Sequence, residues 1–294
     1  MWRILSPYNL VDPDNPVFQQ EQRHLRWLKT PESLLKYNLI VLVGIPALIV
    51  LWWLTERIGL GFKYVPPDLE NRLLIVVLVA SAMVMIPSSF YIVISTIDRI
   101  HRQFHMGDCE ALRMTVQRES DILAAKDAIA QLQAWPFVAL EIGLRGTFVA
   151  FFILNSFYDL YQSTYNKSIF FQSISNPLNC CLWGLVLVVG FGFIFEPLLR
   201  MRVLIAWSTA IAFLVKSASL ALLTGFGAVL VFHLTQIGLI GGLKAWVNNS
   251  DAGIEIVFVF IPLCVVATGA FYGFYIGIRR ISNNFIRRKA FAPD

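Results

Sequence analysis

Six stretches of this chain are apolar and almost free of charge over lengths that match the hydrocarbon thickness of a bilayer. They run approximately from Asn38 to Leu54, Leu73 to Ile97, Phe137 to Tyr158, Leu178 to Phe195, Val203 to Thr224 and Ile254 to Ile278. A bilayer core about 30 Å thick takes roughly 20 helical residues to cross, and the helix must satisfy its own backbone polar groups on the way. The expectation is an all-α, polytopic membrane protein with six transmembrane helices. Of the 294 residues 57% are hydrophobic and 15% charged, whereas soluble domains carry about 25% charged residues. The apolar blocks leave no room for a separate soluble core, so 1–294 reads as a single membrane domain. Met1 to Gln22 lacks the apolar core of a signal peptide, and the first span is expected to be retained. Cys180 and Cys181 are adjacent while Cys109 and Cys264 stand alone, a spacing of neither disulfide framework nor metal site. No cofactor is expected.

Lys and Arg give the orientation. Five precede the first span, five lie between the second and third, two between the fourth and fifth, and five follow the sixth. These 17 face five on the opposite side. By the positive-inside rule both termini and the loop 98–136 belong in the cytoplasm, with the chain in a plasma or inner membrane. The net charge of +5 thus expresses topology, and a nucleic-acid partner is not expected.

From Val203 to Leu243 the chain is apolar for about twice the length of one span. A fifth span followed by an outer re-entrant or interfacial segment, 224–253, keeps the span number even. Gly225 and Gly227 would turn it, and Gly241 and Gly242 would close it. The alternative, a seventh span, places the basic tail 279–294 outside. Pro46, Pro87 and Pro262 fall within spans and can kink them. In the last span Gly269, Gly273 and Gly277 share one face and favour a close helix contact, either internal or between two chains. Glu141 with Arg145, and Glu196 with Arg200, read as structural i,i+4 pairs near the inner surface. His101 and His105 have the spacing of a two-His metal site, but Arg102 stands where a zinc-protease helix needs glutamate and no third ligand is near.

The cytoplasmic pieces carry most of the pattern. Within 1–37, Val17 to Tyr37 mixes apolar and basic residues as expected of a helix in the headgroup plane, broken at Pro31. Within 98–136, Gly107 can stop the helix leaving the second span, and Asp108 can cap a short helix to about Gln117. Ser120 can cap another, Asp121 to Ala134. Pro136 then begins the third span.

The run Gly107-Asp108-Cys109-Glu110-Ala111-Leu112-Arg113-Met114-Thr115, followed by Ser120-Asp121-Ile122-Leu123-Ala124-Ala125-Lys126, resembles the cytoplasmic coupling segment of permeases in the type-two ABC exporter class. Asn15-Pro16-Val17 with Glu21 and Arg23 is similar to the start of the interfacial helix in those permeases. Cys109 stands where that class usually has Thr, and Val116-Gln117-Arg118 replaces its common turn. The resemblance implies a membrane-spanning exporter subunit paired with a second permease copy or homologue. It also implies a separate ATPase subunit, because this chain has no Gly-x-x-x-x-Gly-Lys-Ser/Thr loop of its own. The chain alone is then not an enzyme. Glu110, Leu112, Arg113, Thr115 and Lys126, with Glu21 and Arg23 beside them, would meet the ATPase. Lys216, inside the expected fifth span, would line a translocation path or snorkel to the outer interface. The competing expectation is a non-catalytic membrane anchor or assembly subunit of a larger complex.

Overall fold

A computed structural model describes residues 7–12, 14–23, 25, 30–57, 67–105, 119–163, 177–215 and 217–249, and, in the C-terminal part, 273, 276–277, 280–281 and 284. Nearly all of them are helical, and no strand occurs among them. After a 3-10 turn at Pro7–Leu10 come α1 (Pro16–Gln22) and α2 (Pro31–Asn38). A wide π turn, Leu39–Gly44, joins α2 to α3 (Ile45–Arg57). The long helices follow: α4 (Pro67–His105), α5 (Glu119–Ser163), α6 (Pro177–Leu214) and α7 (Ala218–Asn249).

Local chemistry explains the starts. The Asn15 side chain accepts from the backbone of Val17 and Phe18 at 3.0 and 3.2 Å, with Pro16 just inside the helix, where its missing N–H costs nothing. Thr30 and Ser33 cap α2 reciprocally, each side-chain oxygen accepting from the other's backbone at 3.2 Å. Pro31 therefore opens a helix, as the expected break requires. Pro46 cannot donate to the carbonyl of Leu42, and the wide turn at 39–44 takes up the mismatch.

Among the described residues three stretches are long and apolar enough to cross a bilayer: Pro31–Leu51, Ile75–Arg102 and Ala124–Leu154. They overlap the first three expected spans. Their outer surfaces are apolar as well. Leu48, Met83 and Leu223 are about 70% exposed, while Ile92, Val93, Ile97, Ile129 and Ile205 are buried between helices. Such an apolar exterior suits hydrocarbon rather than water. The protein is a helical membrane protein.

Several expected boundaries move. Asp121 to Ala134 is no separate elbow helix: α5 runs 45 residues without a break, through Pro136 and into the third span. The expected fifth span, Val203 to Thr224, is divided. Its first part continues α6, which ends at Leu214; Val215 and Ser217 are not helical, and α7 begins at Ala218. Gly225, Gly227, Gly241 and Gly242 lie inside α7 and turn nothing as far as Asn249. Gly225 has another task, since a Cβ there would stand 2.5 Å from Val93 Cγ1 and 3.1 Å from Ile97 Cδ1. Its glycine lets α7 lie close on α4. Phe226 meets the Phe90 ring at 5.1 Å, and His233 lies 3.2 Å from Ser89 Oγ, so α7 runs antiparallel to α4. Of the glycine face expected in the last span, Gly269 lies outside the described residues. At Gly273 and Gly277 a Cβ would meet nothing within 4 Å among the described residues.

At the heart of the bundle α4, α5 and α6 each pack on the other two. The first span lies along α5, anchored by Trp135 Nε1 donating to Asn38 Oδ1 at 2.7 Å and Tyr37 Oη donating to the Pro136 carbonyl at 2.8 Å. Gly143 permits this approach, because a Cβ there would stand 2.6 Å from the Val41 carbonyl oxygen. A clash with backbone has little room to relax. Gly143→Ala is expected to lower stability by about 1–3 kcal/mol, while Gly146→Ala, with nothing within 4 Å of its Cβ, keeps or slightly raises the melting temperature, because alanine is the better helix former. Thermal melts in detergent compare the two.

Candidate functional site

The two i,i+4 pairs found in the sequence meet in one network. Glu141 and Arg145 are a turn apart on α5, Glu196 and Arg200 a turn apart on α6, and the two helices are antiparallel. Equal spacing and the same Glu-then-Arg order therefore bring opposite charges face to face. Arg145 Nη2 lies 2.6 Å from Glu141 Oε1, and Arg145 Nη1 lies 2.8 Å from Glu196 Oε2. Arg200 Nη2 donates to Glu141 Oε2, and Arg200 Nη1 lies 3.8 Å from Glu196 Oε2. The side chains of Glu141 and Arg200 are 0% and 1% exposed, so both are sealed from solvent and lipid.

The surroundings complete the site. Pro197, inside α6, has no N–H to give the carbonyl of Phe193 four residues back. Arg145 Nη1 donates to that carbonyl at 2.9 Å, and its guanidinium sits 4.5 Å from the centre of the Phe193 ring. Arg145 Nη2 also approaches Met85 Sδ at 3.5 Å, which ties α4 to the same point. Glu141 and Arg145 fall within the apolar stretch Ala124–Leu154. Burying four charges is expensive, and two ion pairs with good geometry roughly offset that cost. What the arrangement supplies is registry between α4, α5 and α6. Spacing along each helix does not by itself join the two pairs; the matching Glu-then-Arg order on two antiparallel helices is the signal that does.

A second set of contacts gathers around the ends of α4 and α5 that flank 106–118. Glu21 of α1 lies 3.6 Å from Arg99 of α4. Asn15 Nδ2 donates to the Asp121 carbonyl of α5 at 3.1 Å. The N-terminal segment thus bridges both helices beside the expected elbow. Phe18 is buried there and meets the Tyr8 ring at 5.9 Å; burial raises the pKa of the Tyr8 phenol against the lowering effect of its bond to Gln22.

The expected coupling residues divide accordingly. Glu110, Leu112, Arg113 and Thr115 lie outside the described residues, as does Lys216. Glu21 is engaged with Arg99, Arg23 is exposed and Lys126 is half-buried on α5. His101 is buried, and no cluster of three or more metal-binding side chains occurs among the described residues.

Comparison with known protein families, curated proteins and solved structures finds no match to this chain.

Removing one partner of a buried ion network leaves the others uncompensated. Glu141→Gln is expected to cost about 3–5 kcal/mol, seen as a large fall in melting temperature. Glu32→Gln, at an exposed position on α2, serves as the control and leaves the melt unchanged.

Proposed function

We propose that this chain is the membrane-spanning permease subunit of an ABC-type exporter, coupled to a separate ATPase subunit and paired with a second permease copy or homologue. The observation that carries the reading is the pair of contacts from the N-terminal segment to both helices beside the elbow, Glu21 to Arg99 and Asn15 to Asp121. A soluble partner that grips 106–118 acts on α1, α4 and α5 together, because these are joined to one another. The motif at Gly107 to Lys126 gives that partner its class.

The topology that suits this reading has six spans, with both termini in the cytoplasm of a plasma or inner membrane. The fifth span becomes α7 in place of Val203 to Thr224, and the break at 215–217 becomes an inner corner. Antiparallel packing of α7 on α4 supports that order, and the re-entrant segment is no longer needed. Lys216 then adds a cation to an inner loop by its place in the sequence, in keeping with the charge rule.

The second reading is a membrane anchor or assembly subunit without transport. The network of Glu141, Arg145, Glu196 and Arg200 favours it, since it fixes the central helices in one register.

Purification in mild detergent separates the two. The exporter subunit is expected to carry an ATPase with it and to stimulate ATP hydrolysis. Glu110→Ala and Arg23→Ala should each reduce that stimulation by about tenfold, the effect of a lost contact worth ~1.4 kcal/mol, without changing the melting temperature. Recovery with a stable set of non-ATPase partners, and no effect of either substitution, would replace the exporter with the anchor.

A further inference from the structure

The seam between α4, α5 and α6 contains polar side chains that the fold buries and does not bond. Thr96 Oγ1, Gln131 Oε1 and Ser208 Oγ are sealed from solvent and have no hydrogen-bond partner, on residues that are 4%, 0% and 0% exposed. One comes from each of the three central helices.

Helical register brings them together. α5 and α6 touch where Gly190 faces Val149, close enough that a Cβ on the glycine would stand 3.0 Å from Val149 Cγ1. Gln131 lies five turns from Val149 and Ser208 five turns from Gly190 at about 3.6 residues per turn, so both return to the faces that made that contact. The antiparallel sense of the helices carries them in the same direction. On α4, Met85 meets Arg145 and Tyr91 meets the Phe137 ring at 5.0 Å. Continuing that antiparallel run puts Thr96 level with 132–133 on α5. Thr96 is about three turns from Met85 and therefore shares its face toward the same seam. The three groups form a layer about 15 Å along α5 from Glu141.

We propose that Thr96, Gln131 and Ser208 bind an internal water molecule that bridges α4, α5 and α6. Two hydroxyls and an amide carbonyl suit a small neutral molecule that both donates and accepts, and a buried water commonly has about three such partners. None of the three carries a charge to hold an ion. The Gln131 amide is oriented by its Nε2 donating to Asp127 Oδ2 at 3.2 Å, which leaves its buried carbonyl oxygen as an acceptor. Trp207 Nε1, beside Ser208 in sequence, is another buried donor without a partner. The water donates to Gln131 Oε1 and to one hydroxyl and accepts from the other.

Two measurements on the full chain in lipid nanodiscs test this. In X-ray hydroxyl-radical footprinting, radicals formed from a held water modify Gln131, which holds it and is 0% exposed to radicals from bulk solvent. Modification is expected in the native chain and lost in Thr96→Val/Ser208→Ala; equal modification in both overturns the proposal. In thermal melts Ser208→Ala is expected to lower the melting temperature, because the water loses a partner. A rise or no change overturns the proposal, since deleting a dry, unbonded hydroxyl removes a desolvation penalty and harms nothing. The single substitution decides the matter if the double variant does not fold.

Discussion

Two glutamates and two arginines buried between α5 and α6 set the register of the bundle. Sliding one helix past the other by a single turn, about 5.4 Å, brings Glu141 opposite Glu196 and strands both arginines among apolar neighbours. Repulsion and unpaired charge exclude that arrangement, so the core has one alignment. Apolar packing alone discriminates poorly here, because lipid solvates leucine as well as a neighbouring helix does. Charge gives the central helices the specificity that hydrophobicity cannot.

Prolines and glycines then serve packing. Pro197 frees the Phe193 carbonyl that Arg145 takes up, a substitute hydrogen bond of the kind a membrane demands. Gly143 lets the first span lie against α5, and Gly225 lets α7 lie against α4. In each case the sequence feature first looks like a kink or a turn, and its partner on another helix reveals its use.

The class of fold was legible because hydropathy over some 20 residues is a physical requirement and not a tendency. The first three spans follow from it directly. The division of Val203 to Leu243 did not follow, because apolar character continues smoothly across the break at 215–217 and no proline or charge run marks it apart from Lys216. Gly225 and Gly227 have the sequence signature of a turn yet lie inside α7, since a glycine for close approach looks the same in sequence as one for bending. The charged site was half legible. Spacing of four along one helix identified Glu141 with Arg145 and Glu196 with Arg200, but pairing between helices is a long-range fact that a local pattern does not encode. The coupling residues Glu110, Leu112, Arg113 and Thr115 rest on motif resemblance alone, while Glu21, read as part of the same contact, is tied to Arg99.

The unbroken length of α5 has a mechanical consequence. Its 45 residues make a rod of about 67 Å at 1.5 Å per residue, longer than the membrane is thick. The rod is held near its middle by Glu141 and Arg145 and toward its start by Trp135, Pro136 and Asp121, so a force applied at that end is carried into the charged core through one unbroken helix.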